Sequence, residues 1–352
     1  MVILHIASIK NDPLNGVCVA VPAHVNAQSK HADVGFMNIT NEIISNVEMQ
    51  IEYKKPFNIS SLKKPFNKPD LVVFHECYRI DYVFIANNLK KKGIPYVIIP
   101  HGELRMEAQK KKQLKKVVAN LLIFNRFINQ GVAIQCLSEA ELQNTKFGKN
   151  KFVGTNGVRI PSIKKDNFNK NQVKFIYIGR YEWRVKGLDI LLDAVKIIEK
   201  FMRENHCTID MYGPDILGRY ADVESMILER DIGDIVTLHH EIIGHEKEEK
   251  LLEADIFIQT SRHEGMPMGI LEALSYGVPC LITKGATLGE YISDYDAGWV
   301  SDTNAKSLSK TIIEAVQNRD SWLKKGKNAV ALINENFEWD KVSKYAIDNF
   351  SK

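Results

Sequence analysis

Short apolar runs alternate with helical patterns along the first 160 residues. Val2 to Ser8, Val34 to Ile39, Leu71 to His75, Tyr96 to Pro100 and Val132 to Leu137 are brief, β-rich and bounded by polar or turn residues, the signature of buried strands. Between them lie segments with helical character, among them one that Asn15-Gly16-Val17 leads into and that runs through Gln28, and Tyr82 to Lys92. Strand and helix in alternation predict a parallel sheet covered on both faces. The series then starts afresh. Lys174 to Gly179, Thr208 to Tyr212, Ile235 to His239 and Ile256 to Ser261 read as strands, with helices at Leu188 to Met202, Val223 to Glu229 and Met266 to Tyr276. Further helices follow from Ser307, the last of them amphipathic over Val342 to Phe350.

Two such series predict two Rossmann-like, doubly wound domains, at 1–160 and 173–335. The length of 352 residues also exceeds what one hydrophobic core serves. Pro161 to Gln172 is polar, lysine-rich and without apolar periodicity, which marks it as the expected linker.

In an open α/β sheet, ligands bind beyond the carboxyl ends of the strands, so the loops there carry the candidate chemistry. One is Arg262-His263-Glu264-Gly265-Met266-Pro267, between a strand and a helix with Pro267 near its start; free backbone N–H groups and the helix dipole make it a candidate phosphate site. Glu264 stands before that helix and Glu272 inside it, placed to hold separate hydroxyl-bearing parts of one elongated ligand. The other loop, Gly179 to Gly187, carries Arg180 and Lys186. A planar guanidinium fork and a point charge together suit a diphosphate.

Composition changes this picture little, and charge changes it more. The five cysteines are scattered without C-x-x-C spacing, which predicts a reduced, cytoplasmic protein with buried thiols. Met1 to Ala7 is too short for a signal peptide, and no stretch of 18 apolar residues occurs. The net charge of +4 conceals an asymmetry: residues 1–160 hold 22 Lys and Arg against 12 Asp and Glu, and the remainder 25 against 31. A basic first half predicts an anionic partner. Lys110 to Lys116, leading into Val117, Val118, Leu121 and Leu122, forms a helical stripe with clustered lysines, which Lys90 to Lys92 extend. Such a stripe packs on its own sheet or lies on an anionic membrane surface. Nucleic acid is not expected, because the lysines are not interleaved with exposed aromatics or part of a recognisable binding module.

Gly-Arg followed by Lys-Gly at 179–187, then Ser-Arg-His-Glu-Gly-Met-Pro at 261–267 with Glu272 eight positions after Glu264, resembles retaining glycosyltransferases of family 4 with the GT-B fold. Leu251 to Ile258, Leu271 to Pro279 and Gly289 to Ile292 extend the resemblance, which covers Phe175 to about Ile292. It implies two Rossmann-like domains facing across a cleft, the first receiving the acceptor and rejoined by a C-terminal helix over 340–352, the second holding a nucleotide sugar. It implies that Arg180 and Lys186 neutralise the donor diphosphate, that Glu272 accepts from the ribose hydroxyls, and that Glu264 holds the donor sugar together with backbone N–H groups around Gly265, Met266, Pro267 and Met268. Within that span only the non-proline residues can donate. Thr287 and Leu288 fall where the family places phosphate-binding backbone, and His101 where it places a strand-end histidine facing the sugar. Gly16 corresponds to the family's glycine-rich turn, with Val17 in place of the usual second glycine.

The resemblance implies transfer of a hexosyl or N-acetylhexosaminyl group from a UDP- or GDP-sugar to a saccharide acceptor, lipid-linked as on polyprenyl diphosphate, in bacterial O-antigen, capsule or exopolysaccharide synthesis at the inner face of the cytoplasmic membrane. No cofactor and no metal are expected, because fixed cations and N–H dipoles stabilise a departing diphosphate. Asp294-Tyr295-Asp296 sits in a polar turn, and His239, His240 and His245 lack helical metal-ligand spacing. A GT-B binding subunit without catalysis and a sugar-nucleotide epimerase are the alternatives.

Overall fold

A computed structural model describes residues 1–104, 123–148, 150–168, 171–216 and 218–350. The chain divides into two compact units, Met1–Gly157 with Trp339–Lys352, and Val158–Glu338. Each contains a six-stranded parallel sheet among its described residues.

In the first unit the strands are β1 (Val2–Ala7), β2 (Asp33–Asn38), β3 (Leu71–His75), β4 (Tyr96–Ile99), β5 (Ala133–Cys136) and β6 (Lys151–Val153), in the order β2-β1-β3-β4-β5-β6. β1 pairs with β2 from Val2 opposite Asp33 and with β3 from Ile3 opposite Leu71. The chain therefore changes direction across the sheet between β1 and β3. Leu4, Ile6, Val72, Phe74, Ile98 and Ile134 are fully buried among the helices.

In the second unit β7 (Val173–Ile178), β8 (Cys207–Tyr212), β9 (Val236–His239), β10 (Ile256–Gln259), β11 (Cys280–Thr283) and β12 (Gly298–Ser301) are ordered β12-β11-β10-β7-β8-β9. Here the reversal lies between β7 and β10, the switch point at which open α/β sheets bind ligands. Successive strand residues face opposite layers, as the two-residue period requires. Phe175, Tyr177, Ile258 and Leu281 enter one core, and Ile176, Phe257, Cys280 and Ile282 the other. Burial on both faces explains the unbroken apolar runs.

Three boundaries differ from expectation. The helix expected over Leu188 to Met202 is two, Leu188–Ile197 and Glu199–Glu204, broken where Ile198 leaves helical geometry at ψ 21°. Residues expected as a linker pack on the second unit. Lys165 N–H donates to Tyr276 O at 2.7 Å, its ammonium to Leu252 O at 2.9 Å, and the Phe168 ring meets Trp322 at 5.9 Å. The helix 268–275 begins at Met268 with Pro267 as its N-cap, later than Met266.

The C-terminal helix Trp339–Phe350 belongs to the first unit, where it packs on Gly16–Gln28. His24 meets the Trp339 ring edge-on at 4.9 Å, and a Cβ on Gly157 would come within 2.8 Å of Trp339 Cα. Lys110 to Lys116 lie outside the described residues. Lys90, Lys91 and Lys92 are exposed at the end of Ile80–Lys91. No helix among the described residues is long and apolar enough to cross a membrane.

Candidate functional site

The loops after β7 and β10 meet because a glycine lets their backbones touch. Gly187 has φ +63°, and a Cβ there would lie 2.0 Å from Thr260 O. Only glycine fits, on both counts. Thr260 Oγ1 then donates to Gly187 O at 2.9 Å, and Arg262 N–H to Val185 O at 2.9 Å. Arg262 completes the seam through a two-pronged bond to Asp189, at 2.7 and 2.6 Å. The loop after β11 closes on the same seam. Thr283 Oγ1 donates to Ser261 O at 2.7 Å, and a Cβ on Gly285 would lie 2.3 Å from that oxygen.

Within this frame Lys186 Nζ lies 2.5 Å from Glu264 Oε1, with both side chains only 13% exposed. The same oxygen accepts from Ser261 Oγ at 2.7 Å and from buried Gln259 Nε2 at 2.8 Å. Three donors on one carboxylate oxygen fix its position and hold the charge in a partly desolvated place. Lys186 and Glu264, assigned to phosphate and to sugar by the resemblance, are thus joined directly.

Arg180 is half exposed and reaches Glu182 only at 3.8 Å. The turn that carries it is pinned by Tyr177 and Tyr181. Tyr177 donates its hydroxyl to Arg180 O at 2.9 Å, and Tyr181 bonds Met211 O at 2.6 Å and His239 O at 2.7 Å. Burial raises both phenols well above their usual pKa, so they remain protonated donors. Arg180, Glu182, Trp183, Arg184, Ile216 and Arg219 line a cavity of about 110 Å³ beside this turn.

No side chain caps the helix 268–275. Gly265 has open space where a Cβ would stand, so the backbone there is approachable. Thr287 adopts φ +66°, and its hydroxyl donates to Ala286 O at 2.7 Å; Leu288 then opens the helix Gly289–Asp294. Further along 268–275, Glu272 Oε2 accepts from Lys247 Nζ at 2.8 Å, across from the helix Gly244–Glu253. Lys247 was not expected from the sequence. It lies in a helix of alternating charge, and nothing in its local pattern marks it. Ser261 and Gln259 were also missed, although their separations of three and five residues from Glu264 are legible once that carboxylate is suspected.

The histidines read as lacking metal-ligand spacing have other partners. His239 stacks on Tyr212 at 4.4 Å and bonds Asp210 at 2.7 Å, while His240 stacks on Tyr220. Asp296 is paired with Lys325 and Lys324, which hold its carboxyl below the usual range. Among the described residues no group of three His, Cys, Asp or Glu could hold a metal ion.

In the first unit, exposed Gly16 is the first residue of its helix, and Asn15 caps it by accepting from Val17 N–H at 3.0 Å. One N–H of the glycine-rich turn is therefore already occupied. His101 follows β4 with φ 48°, in the left-handed region that side-chain-bearing residues seldom adopt. Two carboxylates brace it: buried Glu141 accepts from Gly102 N–H at 2.7 Å, and Glu103 from Cys77 N–H at 2.6 Å. His101 Nε2 lies 3.0 Å from His75 Nδ1, and His75 Nε2 lies 2.9 Å from His5 Nδ1.

Residues 158–332 match the family described as Glycosyl transferases group 1. An uncharacterised glycosyltransferase of Methanocaldococcus jannaschii is 23% identical over 278 residues, covering 76% of this chain and 72% of the relative. An uncharacterised protein of 41.2 kDa in the cps region of Klebsiella pneumoniae is 24% identical over 259 residues, 67% of this chain and 69% of the relative. The Anabaena protein HepE, solved in complex with UDP, superposes with a TM-score of 0.75 at 15% identity and covers all of both chains.

Proposed function

We propose, from the premise that this chain is a GT-B glycosyltransferase with a group 1 domain in its second unit, that it transfers a sugar with retention from a UDP- or GDP-sugar to a saccharide acceptor. The observation that carries this reading is the Lys186–Glu264 pair at the switch point of the second sheet, beside the uncapped start of 268–275. A cation, a carboxylate and backbone donors of this kind can supply the neutralisation, hydroxyl recognition and N–H contacts that a sugar diphosphate needs.

In this reading Arg180 and Lys186 bind the diphosphate, with N–H groups around Gly265, Met268, Thr287 and Leu288. Glu272 accepts from the ribose and Glu264 from the sugar, and in the first unit His101 contacts a saccharide hydroxyl. The bond between the anomeric carbon and the phosphate oxygen breaks with its electron pair on the diphosphate. Fixed cations and dipoles stabilise that charge without reorganising, so the reaction proceeds without a metal. A Klebsiella relative from a cps region and an Anabaena neighbour holding UDP support a bacterial surface polysaccharide as product and UDP as one candidate nucleotide. Exposed Lys90 to Lys92 support attachment to an anionic membrane carrying a lipid-linked acceptor.

The test is nucleotide release from a panel of UDP- and GDP-sugars, with and without saccharide acceptors. Acceptor-dependent release that disappears in Lys186→Ala and Glu272→Ala is the expected result. Unchanged turnover in both variants would overturn the assignment, and donor interconversion without acceptor would favour an epimerase.

A further inference from the structure

At the switch point of the first sheet, three imidazoles form a hydrogen-bonded file that none of the assigned roles uses. Gln28 Oε1 lies 3.1 Å from His5 Nε2, His5 Nδ1 lies 2.9 Å from His75 Nε2, and His75 Nδ1 lies 3.0 Å from His101 Nε2. His5, His75 and Gln28 are fully buried, while His101, at the outer end, is half-buried. Adjacent rings are near parallel, at 25° and 28°, with centroids 5.2 and 5.3 Å apart.

A neutral imidazole has one N–H and one lone pair, so each contact in such a file dictates the next. A carboxamide oxygen only accepts. His5 must then carry its proton on Nε2 and receive at Nδ1, and His75 must donate from Nε2 and receive at Nδ1. His101 must likewise donate from Nε2. Its remaining nitrogen, Nδ1, is left with a lone pair and has no partner among the described residues. We propose that Gln28, acting through His5 and His75 as positioning residues, fixes the tautomer of His101 so that Nδ1 faces ligand as a hydrogen-bond acceptor for a saccharide hydroxyl. The identity of that ligand rests on the function proposed above; the tautomer order does not.

A second proton on His5 or His75 would set N–H against N–H, and one on His101 would go to its outward Nδ1. Burial prevents this, lowering His5 and His101 to about 3 and His75 well below its ordinary value. His101 is therefore a neutral hydroxyl acceptor and does not add a cation at the diphosphate. The strained backbone at His101, braced by Glu141 through Gly102, holds the ring in line with its partner. Gln28 Nε2 is buried without a partner among the described residues, and the side-chain oxygen facing His5 sets the order. Turning it over would present a donor to His5 and reverse every proton in the file.

Nitrogen-15 spectra of the imidazoles, recorded on the full-length protein without ligand, decide the order. The expected spectrum shows His5, His75 and His101 all protonated at Nε2, with Nδ1 bare. A proton on His101 Nδ1 overturns the proposal, whether or not the enzyme is active. Gln28→Met removes the terminal acceptor and His75→Phe cuts the file. In either variant His101 is expected to populate both tautomers, with kcat reduced about tenfold or more and nucleotide affinity unchanged. Folded variants with a single Nε2 tautomer and wild-type kcat would equally overturn it. Absence of turnover by the wild type with every sugar nucleotide would instead refute the proposed function and leave the spectral result standing.

Discussion

Lys186 Nζ and Glu264 Oε1 form a 2.5 Å ion pair in which both members belong to the proposed donor site. The ammonium expected to meet a diphosphate is neutralised by the carboxylate expected to meet the sugar. Donor binding must therefore either displace Lys186 or add phosphate to its remaining donor positions, since an ammonium has three.

Glu264→Gln tests that coupling. Removing the carboxylate charge leaves Lys186 uncompensated in a partly buried place, and breaking such a pair costs about 3 kcal/mol or more of stability where burial is deep. Binding of UDP or GDP, which carry the phosphate without the sugar, is expected to hold or tighten because the cation is released. Turnover of the sugar nucleotide is expected to fall about a hundredfold. Calorimetry with nucleotide, set beside steady-state kinetics, separates the two effects. Parallel losses in nucleotide affinity and turnover would show that Glu264 serves only to orient Lys186.

Two glycines in the same seam should behave oppositely. Gly187→Ala places a Cβ against Thr260 O and forces a side chain into φ +63°, and the two effects together are expected to cost about 2–5 kcal/mol. Gly265→Ala meets no atom within 4 Å and has no positive φ to strain. Its melting temperature should stay close to wild type while sugar-nucleotide affinity drops, because the methyl group stands where the donor must approach. Thermal melts with and without sugar nucleotide check both. A destabilised Gly265→Ala, or one with unaltered affinity, would contradict the placement of the donor here.

Lys247 holds Glu272 at 2.8 Å from a neighbouring helix, with both side chains about a quarter exposed. Solvent screens a pair of this kind, so its contribution to stability is small, within about 1 kcal/mol. Its predicted effect is on ligand geometry. Lys247→Met should raise the KM for donor several-fold with kcat nearly unchanged. Glu272→Gln should weaken binding of ribonucleotides more than of their 2′,3′-dideoxy counterparts. Equal weakening of both would remove Glu272 from the ribose.

The fold was legible because parallel strands buried on both faces need continuous apolar runs, and Phe175 to Ile178 or Val72 to Phe74 cannot be read otherwise. The strands β6, β11 and β12 were not singled out; β6, Lys151-Phe152-Val153, has only three residues and carries no pattern longer than its three ladder partners. In the site, Glu264, Lys186 and Arg180 stood out through the motifs around them. Lys247, Gln28, His5 and His75 did not, because what matters about each is a partner brought near by the fold. His5 and His75 are 70 residues apart, and each reads locally as one polar position in an apolar strand. The extent of helix 268–275 was overread by two residues at its start because Pro267 was taken inside the helix when it caps it.

The histidine file also predicts how stability depends on pH. His5, His24 and His101 are lowered by burial from an ordinary value of 6.5 to about 3, 4 and 3, and His75 is also held well below 6.5. The neighbours that act on them are one another, together with Gln28 and Asn156. Below pH 6.5 the unfolded chain takes up protons that the folded first unit refuses, so stability is fully present above that value and declines as pH falls toward 4. Each fully buried histidine contributes about 1.4 kcal/mol per pH unit over that range. Paired carboxylates such as Asp296 and Asp234 have folded values below 3.8, and their own loss of stability sets in only near and below that value, while Glu103, raised by burial, acts against the histidines as pH falls. Urea denaturation at half-unit intervals from pH 7.5 to 5 should therefore show a steady fall. His75→Phe should flatten it by about one proton's worth of slope, and a curve that is level from 7 to 5 would mean that these rings are hydrated and free to charge in the folded protein.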